Sequence, residues 1–138
     1  MTAHAPILPI LIPFAAALVL LAGSRDASGL PDEVAGVAAV CAPVDLAACA
    51  DRFDARDNAG YRAHFLWALR HQYRRRQRRL PELYAAGLER GLRSIWEYDD
   101  VVTARYGGFA NARDYYARSS SGPWLARLAR PALLLWAA

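Results

Sequence analysis

Two short runs of unbroken apolar residues, about ninety residues apart, constrain this chain more than any other feature. The first is Val34-Ala35-Gly36-Val37-Ala38-Ala39-Val40-Cys41-Ala42, closed by Pro43, and the second is Pro131-Ala132-Leu133-Leu134-Leu135-Trp136. Neither alternates polar with apolar residues. Each therefore reads as a strand buried on both faces, the pattern of a parallel sheet, although a buried helix also fits the first run. Two such strands form a marginal sheet alone and call for covered faces and neighbours. The sheet is accordingly expected to be incomplete as it stands.

Between the runs the pattern is helical. Asp45 can cap a helix through Leu46-Ala47-Ala48-Cys49-Ala50. A long helix is expected over residues 60–79, where Tyr61, Phe65, Leu69 and Tyr73 recur every four residues with Leu66 beside them. Pro81 ends it. A second helix is expected over residues 82–96, anchored by Leu83, Leu88, Leu92, Ile95 and Trp96. Tyr106-Gly107-Gly108-Phe109 is a breaker, residues 111–118 can hold a short helix carrying Tyr115 and Tyr116, and Ser119-Ser120-Ser121-Gly122-Pro123 reads as a loop.

Charge is distributed very unevenly. The net charge is +4 over 138 residues, with 17 basic residues, all of them arginine, and 13 acidic ones. Residues 62–79 hold seven arginines and no acid, so the remainder of the chain is net acidic. At the other extreme, residues 2–24 carry no formally charged side chain. Twenty-three residues in one helix would reach ~34 Å, against a hydrocarbon core of roughly 30 Å. Pro13 should kink such a helix, and no positive region precedes the apolar stretch as in a signal peptide. Residues 1–24 are thus expected to form an apolar helix that inserts in a membrane through residues 1–23. Arg25 and the arginine-rich remainder would then favour a cytoplasmic body.

Few residues form a chemical constellation. The nucleophile elbow Gly-x-Ser-x-Gly is absent: neither Ser24 nor Ser28 has glycine two residues before or after it, and Arg118 stands ahead of the serine triplet. That triplet reads as a solvated loop. His64 and His71 are seven apart on one helix, about 10 Å along its axis, too far to share a metal without other ligands. Cys41 and Cys49 have neither paired spacing nor partner histidines, and Cys41 reads as a small buried residue. Glu97, Asp99 and Asp100 invite a general-acid or metal reading, but capping and salt bridges to Arg93 or Arg105 fit better. No catalytic, cofactor-binding or metal-ligating residue is therefore assigned. The run Arg70-His71-Gln72-Tyr73-Arg74-Arg75-Arg76-Gln77-Arg78-Arg79 could grip phosphates, on anionic lipid sooner than on nucleic acid, since no nucleic-acid motif frames it.

Longer words in the chain add a resemblance. Ala42-Pro43-Val44-Asp45-Leu46-Ala47-Ala48-Cys49-Ala50, Tyr61-Arg62-Ala63-His64-Phe65-Leu66 and Trp96-Glu97-Tyr98-Asp99-Asp100-Val101-Val102-Thr103-Ala104 form one ordered series. It continues through Gly108-Phe109-Ala110-Asn111-Ala112-Arg113-Asp114-Tyr115-Tyr116-Ala117-Arg118-Ser119-Ser120 and Pro131-Ala132-Leu133-Leu134-Leu135-Trp136-Ala137. Together these resemble the YheT-like branch of the α/β-hydrolases, serine esterases or lipid-ester hydrolases, over residues 30–138. Arg105 stands where that family usually has proline, and Gly107 where histidine is common. The resemblance implies a nucleophile upstream of residues 34–42, an acid directly after residues 132–137, and a histidine further downstream. It also implies an ester or lipid-ester substrate. Separately, His4-Ala5-Pro6-Ile7-Leu8-Pro9-Ile10-Leu11-Ile12-Pro13-Phe14 and the Ala/Leu run after it resemble the start of the large subunit of Mrp-type cation/proton antiporters.

The expectation is an α/β chain by family, mostly helical as it stands. Two short buried strands flank a helical cap in an incomplete hydrolase core, after an apolar amino-terminal helix. Such a chain would be a hydrolase fragment without its triad (serine, acid and histidine), inert alone and needing no cofactor. The alternatives are an antiporter-type membrane piece and an arginine-rich surface module.

Overall fold

A computed structural model describes residues 35–135 except Cys41 and Ala129. They divide into two compact units: Ala47–Arg118, and residues 35–46 with 119–135. The expected apolar helix at residues 1–24 lies outside the described residues. Among those described, no helix is long and apolar enough to cross a membrane.

The smaller unit is built on the two apolar runs. β1 (Val37–Val40) and β2 (Ala132–Leu135) pair in parallel, with Val37 opposite Ala132 and Val40 opposite Leu135. The parallel reading therefore holds, but the strands are not buried on both faces. Ala39 is 2% exposed, whereas Val40 is 67%, Leu133 56% and Leu135 49% exposed. Side chains alternate across a strand, and here only one face of the pair has a core, formed by Ala39 and Ala42 against Leu125, Leu128 and Leu134. Gly36 is required ahead of β1, because a Cβ there would stand 2.8 Å from the Pro131 carbonyl oxygen. The serine triplet is not solvated either. Ser119 and Ser120 are 8% exposed and Ser121 is fully buried. The Ser120 hydroxyl accepts the Leu46 amide at 3.0 Å, the Gly122 amide donates to the Val44 carbonyl at 2.8 Å, and a 3-10 helix, Gly122–Arg127, follows.

The larger unit is all helix and turn. α1 (Leu46–Asp54) begins directly after Asp45, as expected, and runs further than the sequence suggested. After a 3-10 turn at Arg56–Asn58 comes α2 (Ala59–Arg79). Arg62 reaches back to close the end of α1, donating to the Asp54 carbonyl at 2.6 Å. α2 stops at Leu80, which has left the helical region (φ -137°, ψ 64°) ahead of Pro81, where proline disfavours helical backbone. Its buried seam is Leu66, Leu69 and Tyr73. Tyr61 is 59% exposed and lies at the edge, stacked 5.3 Å from Phe53.

The expected helix over residues 82–96 does not form. Gly87 and Gly91 take left-handed φ of 84° and 76°, breaking residues 81–91 into turns, and helix resumes only at Ile95. Two tyrosines hold these turns. The Tyr73 hydroxyl donates to the Ala85 carbonyl at 2.7 Å, and the Ala85 amide donates to the Tyr106 hydroxyl at 2.9 Å. With its proton so committed, Tyr73 accepts from Tyr106 at 3.1 Å. Leu92 and Ile95 are buried as expected, but Leu83 is 52% exposed, and Tyr84 and Glu89 are buried in its stead.

The last helices run almost continuously. α3 (Ile95–Tyr98) widens into a π-helical stretch, Asp99–Ala104, and narrows again at α4 (Arg105–Gly107). Gly108 ends it with a left-handed φ of 74°, as the breaker predicts. α5 (Ala112–Ser119) is capped by Asn111, whose side-chain oxygen accepts the Asp114 amide at 3.0 Å.

The Glu89 side chain makes this unit sensitive to acid. It is 4% exposed and accepts from Arg74 at 2.9 Å. Burial opposes its charge most strongly. The Arg74 hydrogen bond, its own backbone amide and the charges of Arg74 and Arg90 together outweigh burial and hold the carboxyl below its ordinary 4.5. The stabilisation is therefore full above the ordinary value and lost as pH falls through the lowered one. Glu89→Gln should cost on the order of 1 kcal/mol at neutral pH and nothing in strong acid. Thermal melts of both proteins across pH 3 to 7 (roughly the carboxylate range upward) should converge at the acid end; parallel curves would contradict this.

Candidate functional site

The acidic residues singled out in the sequence converge around α3. Ser94 is its N-cap, its hydroxyl accepting the Glu97 amide at 3.0 Å, and the Glu97 carboxylate accepts the Arg93 amide at 2.5 Å. This is the reciprocal logic of a capping box, shifted by one residue. The Asp100 carboxylate accepts the Ala112 amide at 2.9 Å, so it caps α5. The capping role expected for this cluster is what Glu97 and Asp100 perform. Arg93 is engaged through its backbone amide, and no ion pair to Arg93 or Arg105 occurs among the described residues.

Asp99 is different. It is half-buried and accepts from the Thr103 hydroxyl at 2.5 Å and the Tyr116 hydroxyl at 2.6 Å. Burial pushes its carboxyl above the ordinary range and the nearby Asp54 adds to this, while the two hydroxyl bonds pull the other way. The Tyr116 phenol is in turn raised, first by burial and then by Asp99. Asp54 was missed in the sequence. It stands at the end of α1, and its carboxylate accepts the amides of Ile95 at 2.9 Å and Trp96 at 3.3 Å. Neighbouring Asp51 accepts the Trp96 indole N–H at 2.7 Å.

A shallow depression of about 400 Å³ opens beside this network, lined by Trp96, Glu97, Asp100, Asn111, Ala112 and Arg113. Arg113 lies 6.0 Å over the Trp96 ring, and Tyr116 meets that ring edge-on at 4.7 Å. Each carboxylate around the depression already holds a helix amide or a hydroxyl. The arrangement fixes two helix starts, those of α3 and α5, and it leaves no carboxylate poised against a nucleophile.

The remaining candidates are dispersed. His64 and His71 are exposed and flank Trp67, with ring centroids 6.1 and 5.8 Å from it, and neither shares a hydrogen bond with a serine or carboxylate among the described residues. Cys49 is half-buried on α1, while Cys41 lies outside the described residues. Among the described residues no group of three or more His, Cys, Asp or Glu gathers as a metal site.

The chain is 32% identical over 116 residues to a protein of Escherichia coli (strain K12) named "Putative esterase YheT". The match takes in 83% of this chain and 34% of that relative, so the chain spans about a third of the relative's length. No family model matches the chain, and no solved structure does. The resemblance of the first residues to cation/proton antiporter subunits finds no support in these comparisons, and neither does a membrane anchor.

Proposed function

We propose that the chain is a portion of a YheT-like ester hydrolase, consisting of two core strands and the helical cap insertion carried between them. One observation carries this reading. The stretch similar to the E. coli relative covers most of the chain, and β1 and β2 pair in parallel across a connection of about ninety residues. A long helical insertion between neighbouring parallel strands suits a hydrolase cap. The unit Ala47–Arg118 would be that cap, and its capped helices and tyrosine-tied turns would give an ester pocket a fixed wall.

Hydrolysis through an acyl-enzyme needs a nucleophile, a base beside it and an oxyanion hole. Among the described residues Ser94 is a helix cap, Ser120 accepts a backbone amide, and the two histidines face solvent beside Trp67. The chain alone is therefore expected to leave p-nitrophenyl esters intact and to resist a fluorophosphonate probe. Labelling of one serine, abolished by its alanine variant, would overturn that. The family reading has its own test. Replacing the matching cap of the E. coli relative with Ala47–Arg118 should give a cooperatively melting protein that the probe still labels. A folded, unlabelled chimera beside a labelled parent would sink it.

A further inference from the structure

The face of α2 turned away from its buried seam is unlike the rest of the surface. At about 100° per residue, Leu66, Leu69 and Tyr73 share one side, while His64, Trp67, His71, Arg75 and Arg78 line the opposite side over ~21 Å. Trp67 is 62% exposed, between the two histidine rings. Beyond it the stripe becomes cationic. Of the other arginines of α2, Arg62 and Arg70 donate to the carbonyls of Asp54 and Leu92, Arg74 pairs with Glu89, and Arg76 is half-buried. Arg75, Arg78 and Arg79 are exposed and have no acidic partner among the described residues. A lone exposed indole needs no explanation, and arginines at a helix end interact favourably with its dipole. Neither fact accounts for an indole and unpaired guanidiniums in one line opposite the seam.

We propose that this face of α2 docks on an anionic phospholipid surface. Charge complementarity names the partner: three unpaired guanidiniums at the end of a helix without acids call for clustered phosphates. The shape separates lipid from single-stranded nucleic acid, which is typically held in a groove, whereas this face is one convex helix suited to tangential contact with a plane. Trp67 would sit among the headgroups, where indoles concentrate at membrane–water boundaries, while the arginines reach phosphates alongside. The docking is electrostatic with one aromatic anchor, because the apolar seam of α2 is already spent on its own unit. It does not depend on the ester-hydrolase reading, and either can fail alone.

The test is co-sedimentation of the full chain with vesicles of phosphatidylcholine, alone or with about 30 mol% phosphatidylglycerol. Binding is expected only to the anionic vesicles and should be abolished by raising salt to ~0.5 M. Arg75→Ala/Arg78→Ala/Arg79→Ala should weaken it on the order of a hundredfold, and Trp67→Phe several-fold, with thermal melts close to that of the parent. Insertion through residues 1–24 would survive both the neutral lipid and the arginine variant, so it is distinguishable. The proposal is overturned by equal binding to both vesicles, by an unaffected arginine variant, or by tighter binding to a single-stranded oligonucleotide than to the anionic vesicles.

Discussion

Tyr98→Ala is expected to remove about 3–5 kcal/mol from the unit Ala47–Arg118, the range for emptying an aromatic core site. Tyr98 is 1% exposed and belongs to α3, which makes contact with α2. Its ring fills space that a methyl group cannot, and its neighbours are themselves anchored. Leu69 lies on the seam of α2, and its carbonyl accepts the Tyr98 hydroxyl at a long 3.4 Å. Because that bond is long, Tyr98→Phe should cost well under half as much, on the order of 1 kcal/mol. A unit of this size has little stability to spare, typically ~5–10 kcal/mol. Urea unfolding followed by circular dichroism should show the alanine variant melting at far lower denaturant, with the phenylalanine variant near the parent. Equal losses in both variants would mean that the hydroxyl, not the ring, holds α3 to α2.

How far the sequence could be read depends on what each element rests on. α2 is legible because its causes are local: good helix formers, an apolar seam at helical spacing and Pro81 as a stop. The strands are legible as strands for a similar reason, since two unbroken apolar runs leave few choices. Their exposure is not legible, because whether Val40 and Leu133 have neighbours is decided elsewhere in the molecule. The failure at residues 82–96 is instructive. Leu83, Leu88 and Leu92 fit a helical pattern, yet the left-handed backbone at Gly87 and Gly91 breaks it. Two glycines four apart inside a leucine pattern were the available signal, because glycine weakens a helix and permits that backbone.

The acidic cluster shows the same division. Ser94-x-x-Glu97 is a sequence-local signature of a helix start and could be read directly. Asp54 could not, because it serves amides more than forty residues away, and no pattern along the chain announces that. Ser119, Ser120 and Ser121 mislead for a related reason. Their composition says loop, but long-range packing buries them, and the Ser120 hydroxyl takes up the first amide of α1. Short-range chemistry was visible and long-range satisfaction of polar groups was not.

Asp54 therefore carries the second large expected effect. The first amides of α3 have no partners within their own helix, and two residues supply them from outside it: Ser94 for Glu97, and Asp54 for Ile95 and Trp96. Asp54→Ala leaves two half-buried amides unpaired and removes a negative charge from a helix N-terminus, a loss of about 2–3 kcal/mol. Asp54→Asn keeps an acceptor and discards the charge, so it should cost roughly half as much. A further readout separates capping from general damage. Asp54 is one of the influences raising the Asp99 carboxyl, against the hydroxyls of Thr103 and Tyr116. In Asp54→Asn the Asp99 carboxyl should move back toward its ordinary 3.8, as followed by carboxyl NMR titration. An Asp99 that titrates unchanged in a folded Asp54→Asn protein would show that burial and the two hydroxyl bonds set its proton affinity, and that the two carboxylates do not sense each other.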